Sequence, residues 1–183
     1  MTFAETVASG GVAVFPADTV YGLACDPENA GAVARLYELK GRPPDKPAAV
    51  MFFALADLPD LGPRTRALAE RLLPGMVTLL VPSVRYPLAG GTGTLGLRVP
   101  DLPHFAGVPP VLQSSANLAG GPDARRFEDV PESIRSGADL AIDGGELAGT
   151  PSTVIDLGDY EASGAWRIVR QGAVPEAVIR SLA

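Results

Sequence analysis

Thr2-Phe3-Ala4-Glu5-Thr6-Val7-Ala8-Ser9-Gly10-Gly11-Val12-Ala13-Val14-Phe15 sets a short helix directly against a buried strand. Thr2 and Glu5 have the spacing of a capping box, in which each side chain satisfies a backbone N–H of the other, and Gly10-Gly11 supplies the stop. The spacing predicts a helix over 3–9. Val12 to Phe15 has no polar member and reads as a strand buried on both faces. A second helix starts at Asn29, a side chain that can accept from the first free amides, and Val33, Leu36 and Tyr37 fall on one stripe. It ends near Lys40, where Pro43 and Pro44 forbid continuation.

Further strands are expected at 48–53, 77–81, 95–99, 111–114, 140–142, 153–157 and 166–169. Helices are expected at 63–73, 131–136 and 175–182, each opened by a proline whose missing N–H costs nothing in a first turn. Two late strands flank the polar segment 158–165, which predicts an antiparallel hairpin. Early alternation of helix and strand with a late hairpin implies an α/β fold, a twisted mixed β-sheet flanked by helices.

The chain has 183 residues, ordinary for one domain, and a single domain over 1–183 is expected. No apolar run is long enough to span a bilayer, and the N-terminus lacks the basic region of a secretory signal, so no membrane partner and a cytoplasmic location are expected. One cysteine, Cys25, rules out an internal disulfide and reads as a small core residue. With one histidine, His104, there is no basis for a Cys/His zinc site or a histidine-centred triad, and no protein-held metal site is expected. The net charge of −6 makes broad nucleic-acid binding unfavourable, so any RNA contact is local.

Lysine occurs twice, against thirteen arginines, and both lysines lie in Lys40-Gly41-Arg42-Pro43-Pro44-Asp45-Lys46-Pro47. An ammonium is a compact, strongly hydrated point charge where a guanidinium is a planar fork, so the clustering reads either as an anion site or as a solvated turn. Asparagine is also scarce, and Asn117 lies in Ser114-Ser115-Ala116-Asn117. Residues two apart on extended backbone face the same side, so Lys40 with Arg42, and Ser115 with Asn117, can each present a pair of groups to one ligand. Together they suit a nucleotide: cations for phosphate, hydroxyl and amide for phosphate, sugar or base. Gly90-Gly91-Thr92-Gly93-Thr94 reads as an anion nest or as a flexible loop. Asp18, after the first strand, is a loop-borne site position or a turn residue bonded to its own backbone. No Walker loop, GxGxxG fingerprint or kinase signature is present.

Seven segments now stand together: Phe15-Pro16-Ala17-Asp18-Thr19-Val20-Tyr21-Gly22-Leu23, Lys40-Gly41-Arg42-Pro43 with Lys46-Pro47, Pro74-Gly75 with Thr78-Leu79, Leu97-Arg98-Val99-Pro100, Ser115-Ala116-Asn117, Ser152-Thr153-Val154-Ile155-Asp156 and Arg170-Gln171-Gly172. In order and spacing the chain resembles the YrdC/Sua5 family over nearly its whole length. The resemblance implies a YrdC-like fold of the short, single-domain form. It implies an ATP-dependent synthase that converts L-threonine, bicarbonate and ATP to threonylcarbamoyl-adenylate and pyrophosphate for a tRNA modification. Mg²⁺ would be held through the ATP phosphates, and the product would pass to a tRNA-modifying transferase complex.

By the same resemblance Lys40 and Arg42 are catalytic, and Arg42, Lys46, Thr94, Ser115, Asn117 and Arg170 bind ATP. Thr19, Arg98 and Ser152 receive threonine, Arg98 because a guanidinium can bind both oxygens of a carboxylate. The chain departs from the family pattern at Ala17, where threonine is common, around Met51, where histidine is often seen, and at Met76. The first two are expected near the threonine pocket. The alternatives are a paralogue with a different acceptor, or a non-catalytic RNA-binding module.

Overall fold

A computed structural model describes residues 1–89 and 93–183. Helix α1 (Phe3–Ala8) carries the reciprocal capping box, and β1 (Ala13–Pro16) follows it. Next come β2 (Tyr21–Cys25), α2 (Ala30–Lys40) and β3 (Ala49–Met51), then α3 (Pro63–Leu72), β4 (Val77–Pro82), β5 (Thr94–Arg98) and β6 (Val111–Ser115). The chain then forms α4 (Glu132–Gly137), β7 (Leu140–Ala141), β8 (Thr153–Asp156), α5 (Tyr160–Ser163), β9 (Arg167–Arg170) and α6 (Glu176–Leu182).

The strands form one sheet in the order β7-β1-β2-β6-β3-β5-β4-β8-β9. It is mixed, as expected: β1/β7, β3/β5 and β4/β8 are parallel and the other pairs antiparallel. The late hairpin is β8 with β9, and its connection holds the short helix α5, whose Tyr160 is buried. Strand β2 was not anticipated. Its sequence does not alternate, because all five residues are buried between β1 and β6.

Alternate residues divide the apolar material between the two faces of the sheet. Val12, Val14, Tyr21, Leu23 and Val50 join the larger cluster with Leu36 of α2 and Leu68 of α3. Ala13, Phe15, Ala24 and Met51 join a smaller cluster with Phe3 and Val7 of α1 and with Phe105. Leu36 is fully buried, and burial of such a side chain stabilises by about 1.5–3 kcal/mol. The smaller cluster covers only part of its face. The remainder of that face, running through Ala49 and Gly96, is left open for a site. Cys25 lies in the larger cluster, where burial pushes its thiol up to about 12. His104 is exposed and rests on the Phe105 ring. Among the described residues no helix is long and apolar enough to cross a membrane.

Candidate active site

A cavity of about 280 Å³ opens over the uncovered part of the sheet. Small residues make its floor: Ala49 pairs in register with Gly96 on one side and with Gln113 on the other. Thr19, Arg42, Thr94, Arg98, Ser115, Ser152 and Arg170 all line it. These seven come from six segments, Thr94 and Arg98 sharing β5, and are brought to one space by the strand order. Thr78, Gln113, Ser114 and Asp123 also line it and were not among the site residues drawn from sequence. Gln113 did carry a signal, as a long polar side chain after the apolar pair Val111-Leu112.

At one end, Arg98 leaves β5 and is only 4% exposed. Its Nη2 donates to Asp18 Oδ1 at 2.5 Å and lies 3.4 Å from Thr19 Oγ1, while Nη1 lies 3.4 Å from Gln113 Oε1. Asp18 is therefore the buried counter-ion of Arg98, and its own backbone N–H also acts on its carboxylate. Burial raises the Asp18 carboxyl above its ordinary range, opposed by the Arg98 charge, and burial lowers the Arg98 guanidinium, opposed by Asp18. Beside the pair, Met51 is the register neighbour of Arg98 on the same face of the sheet. Ala17 and Met51 both pack in the smaller apolar cluster and neither lines the cavity. These two departures from the family pattern therefore lie near the Arg98 end of the cavity, in its dry flank and not on its surface.

At the side wall, Ser152 Oγ lies 2.8 Å from Thr78 Oγ1, and Arg170 Nη2 donates to the Ser152 carbonyl at 2.7 Å. Pro151 joins this wall at the end of the stretch 143–151, which has no regular secondary structure. The stretch is nonetheless pinned. Gly144 N donates to Tyr21 Oη (2.9 Å), Tyr21 Oη donates to the Gly145 carbonyl (2.8 Å), Leu147 N to the Arg125 carbonyl (2.9 Å) and Gly149 N to the Thr19 carbonyl (2.9 Å). Gly144 also rests on the Pro16 ring so closely that a Cβ there would lie 2.5 Å from it.

The opposite end is organised by the turn after β6. Lys40, 2% exposed, donates from Nζ to the Ser115 carbonyl, to the Asn117 carbonyl at 2.8 Å and to Asn117 Oδ1 at 3.0 Å. Its three N–H groups are thereby matched by three acceptors. Ser115 Oγ donates to Asn117 Oδ1 at 2.6 Å, and Asn117 Nδ2 donates to the Gly121 carbonyl at 2.6 Å. Lys40 and Asn117 therefore hold the turn from behind and do not line the cavity, unlike the direct ATP and catalytic contacts expected of them. Lys46 lines a second, more apolar groove of about 560 Å³ beside α2, with Val33, Tyr37 and Leu88. Arg42 reaches both, with Nη2 donating to the Pro47 carbonyl at 2.6 Å. Of the glycine-rich nest, residues 90–92 lie outside the described residues; Gly93 has φ +76° and Thr94 opens β5 into the cavity.

The family model Sua5_yciO_yrdC, described as telomere recombination, matches residues 5–172. The chain belongs to the Sua5/YciO/YrdC family. Among curated relatives, the threonylcarbamoyl-AMP synthase of Bacillus subtilis is 34% identical over 163 residues, covering 81% of this chain and 47% of the relative. The Pseudomonas aeruginosa PA14 protein of the same name is 38% identical over 175 residues, covering 84% of this chain and 90% of the relative. A crystal structure of Pyrococcus abyssi Sua5 complexed with L-threonine matches with a TM-score of 0.86 at 30% identity, over 98% of this chain and 55% of that one. Escherichia coli YciO matches with a TM-score of 0.81 at 28% identity, over 94% and 88%. This Sua5/YciO/YrdC chain thus spans about half the length of the Bacillus and Pyrococcus relatives and nearly all of the Pseudomonas one.

Proposed function

We propose that residues 1–183 form one domain that acts as an L-threonylcarbamoyladenylate synthase, making threonylcarbamoyl-AMP and pyrophosphate from L-threonine, bicarbonate and ATP. The observation that carries this reading is that one cavity joins a buried Arg98–Asp18 end to an Arg42–Ser115 end. The first suits an amino-acid carboxylate and the second a polyphosphate. The relatives named for this activity, and the Pyrococcus relative complexed with L-threonine, support it.

No side chain needs to act as a nucleophile. The threonine amine adds to CO₂ released from bicarbonate and loses a proton, giving a carbamate. A carbamate oxygen then attacks the α-phosphorus, and the bond to the pyrophosphate oxygen breaks. The chain's part is to hold both reactants and offset charge: Arg42 and Arg170 face the phosphates, Thr94 donates its hydroxyl, Ser115 lines the same end, and Lys40 fixes the Ser115–Asn117 turn. Mg²⁺ would lower the charge repulsion at the phosphates. The donor set fits an ion held mainly by the nucleotide and water: Asp123 is the carboxylate lining the cavity, and no three-residue metal cluster occurs among the described residues. The product would serve tRNA modification by a downstream transferase.

Pyrophosphate release measured across the amino acids, with and without bicarbonate, tests the reading. Release that requires both threonine and bicarbonate is expected. Release indifferent to either, or RNA binding that weakens steeply with salt and needs no threonine, would overturn it.

A further inference from the structure

Gln113 is an unassigned polar group at the floor of the cavity. It is 5% exposed, on β6, and its side chain leans over Gly22 of the neighbouring strand. A Cβ on Gly22 would lie 2.9 Å from Gln113 Nε2 and 2.8 Å from the Phe15 ring, so the glycine is what gives the amide its room. Oxygen and nitrogen of an amide are assigned by their partners, and here the partner decides. Arg98 has only N–H donors, so the group 3.4 Å from its Nη1 is the Gln113 oxygen. Nε2 is then the free end. Among the described residues nothing accepts from it, and it is not one of the buried atoms left without a partner, which places it at the cavity surface.

We propose that Gln113 is a specificity-determining donor whose Nε2 binds the same substrate carboxylate that Arg98 binds. Arg98 supplies the charge and sets the amide's orientation, and Gln113 supplies a neutral N–H beside it. This rests on the reading of Arg98 as the carboxylate site and adds a second donor to it. A carboxylate accepts several hydrogen bonds at once, and two donors on different strands define its position more narrowly than one guanidinium does. Asp18 already occupies one nitrogen of Arg98, which makes the added donor count for more.

The test compares L-threonine with L-threoninol, which keeps the ammonium and hydroxyl but has no carboxylate, by calorimetric titration of the wild type, Gln113→Met and Gln113→Glu. Methionine keeps the length of the side chain without a donor. Glutamate keeps its shape but turns the donor into a competing anion. Threonine affinity is expected to fall about 10-fold in Gln113→Met and further in Gln113→Glu, while threoninol affinity stays within about 2-fold. In turnover, KM for threonine rises with KM for ATP held. Equal losses for threonine and threoninol, or wild-type threonine affinity in Gln113→Glu, would overturn the assignment. A wild type that binds neither compound would remove the threonine reading itself, a result separate from the other two. Thermal melts of both variants within a few degrees of wild type tie the losses to the site.

Discussion

Arg98 donates to Asp18 across eighty positions of sequence, at 2.5 Å, with both side chains almost fully out of water. The pair separates the cavity from the apolar cluster of Phe15, Met51 and Phe105. A buried cation without its counter-ion is costly, whereas the pair as a whole is near neutral in stability. Asp18→Asn is expected to lower the unfolding free energy by about 3 kcal/mol, read from urea midpoints. Adding Arg98→Met should return a good part of that loss. Simple additivity of the two substitutions would show that the ion pair does not matter to the fold.

Lys40 stands in a different relation to the chemistry, as the support of the turn that presents Ser115. Lys40→Met removes the donor shared by two carbonyls and the Asn117 amide oxygen. Adenylate formation is expected to fall about 100-fold, because a displaced Ser115 no longer meets the phosphates. The fall should be accompanied by loss of protection at the amides of 116–121 in hydrogen exchange. Full protection with low activity would instead assign the ammonium to the substrate.

The same residue gives a pH dependence. Burial, with the Arg42 charge nearby, lowers the Lys40 ammonium from its ordinary value to about 8. Between that pH and the unfolded value the unfolded chain binds a proton that the folded chain has released. Unfolding then takes up a proton, so this residue's contribution to stability rises with pH across the window. The wild type should therefore gain on Lys40→Met between pH 7.5 and 9.5 in urea midpoints. A constant difference would mean that the three acceptors keep the ammonium protonated there.

Thr153 ties the C-terminal segment to the sheet. Its Oγ1 donates to the Val174 carbonyl at 2.7 Å and accepts from Gly172 N at 3.0 Å and Val174 N at 3.1 Å. Valine preserves the volume but abandons all three groups. Thr153→Val is expected to cost about 1–3 kcal/mol in chemical denaturation, with Thr78→Val, whose hydroxyl meets only Ser152 Oγ, costing less. Equal costs would place the two hydroxyls on the same footing and refute the anchoring role.

The parts of the fold that sequence made legible are those fixed by local chemistry. The Thr2–Glu5 box and the Asn29 cap are backbone–side chain bonds within one turn, and both are present. Strand β2 escaped because burial on both sides removes the alternation that marks a strand. Helix α5 escaped because four residues give no stripe to read. At the site, residue types pointed to the cavity for Arg42 and Ser115, and the family resemblance did so for Arg98. What they could not give was direction: Lys40 and Asn117 share their segments with cavity residues yet face the turn. Asp18 and Gln113 acquire their meaning only from Arg98, which lies on another strand.

The stretch 143–151 has neither helix nor strand, but Tyr21, Arg125 and Thr19 fasten it at four places. Backbone held by its own chain in this way needs no ligand to freeze it, an ordering cost that would otherwise subtract from affinity. The segment that leads into Ser152 is therefore a support fastened by its own chain, at the edge of the cavity that Pro151 and Ser152 line.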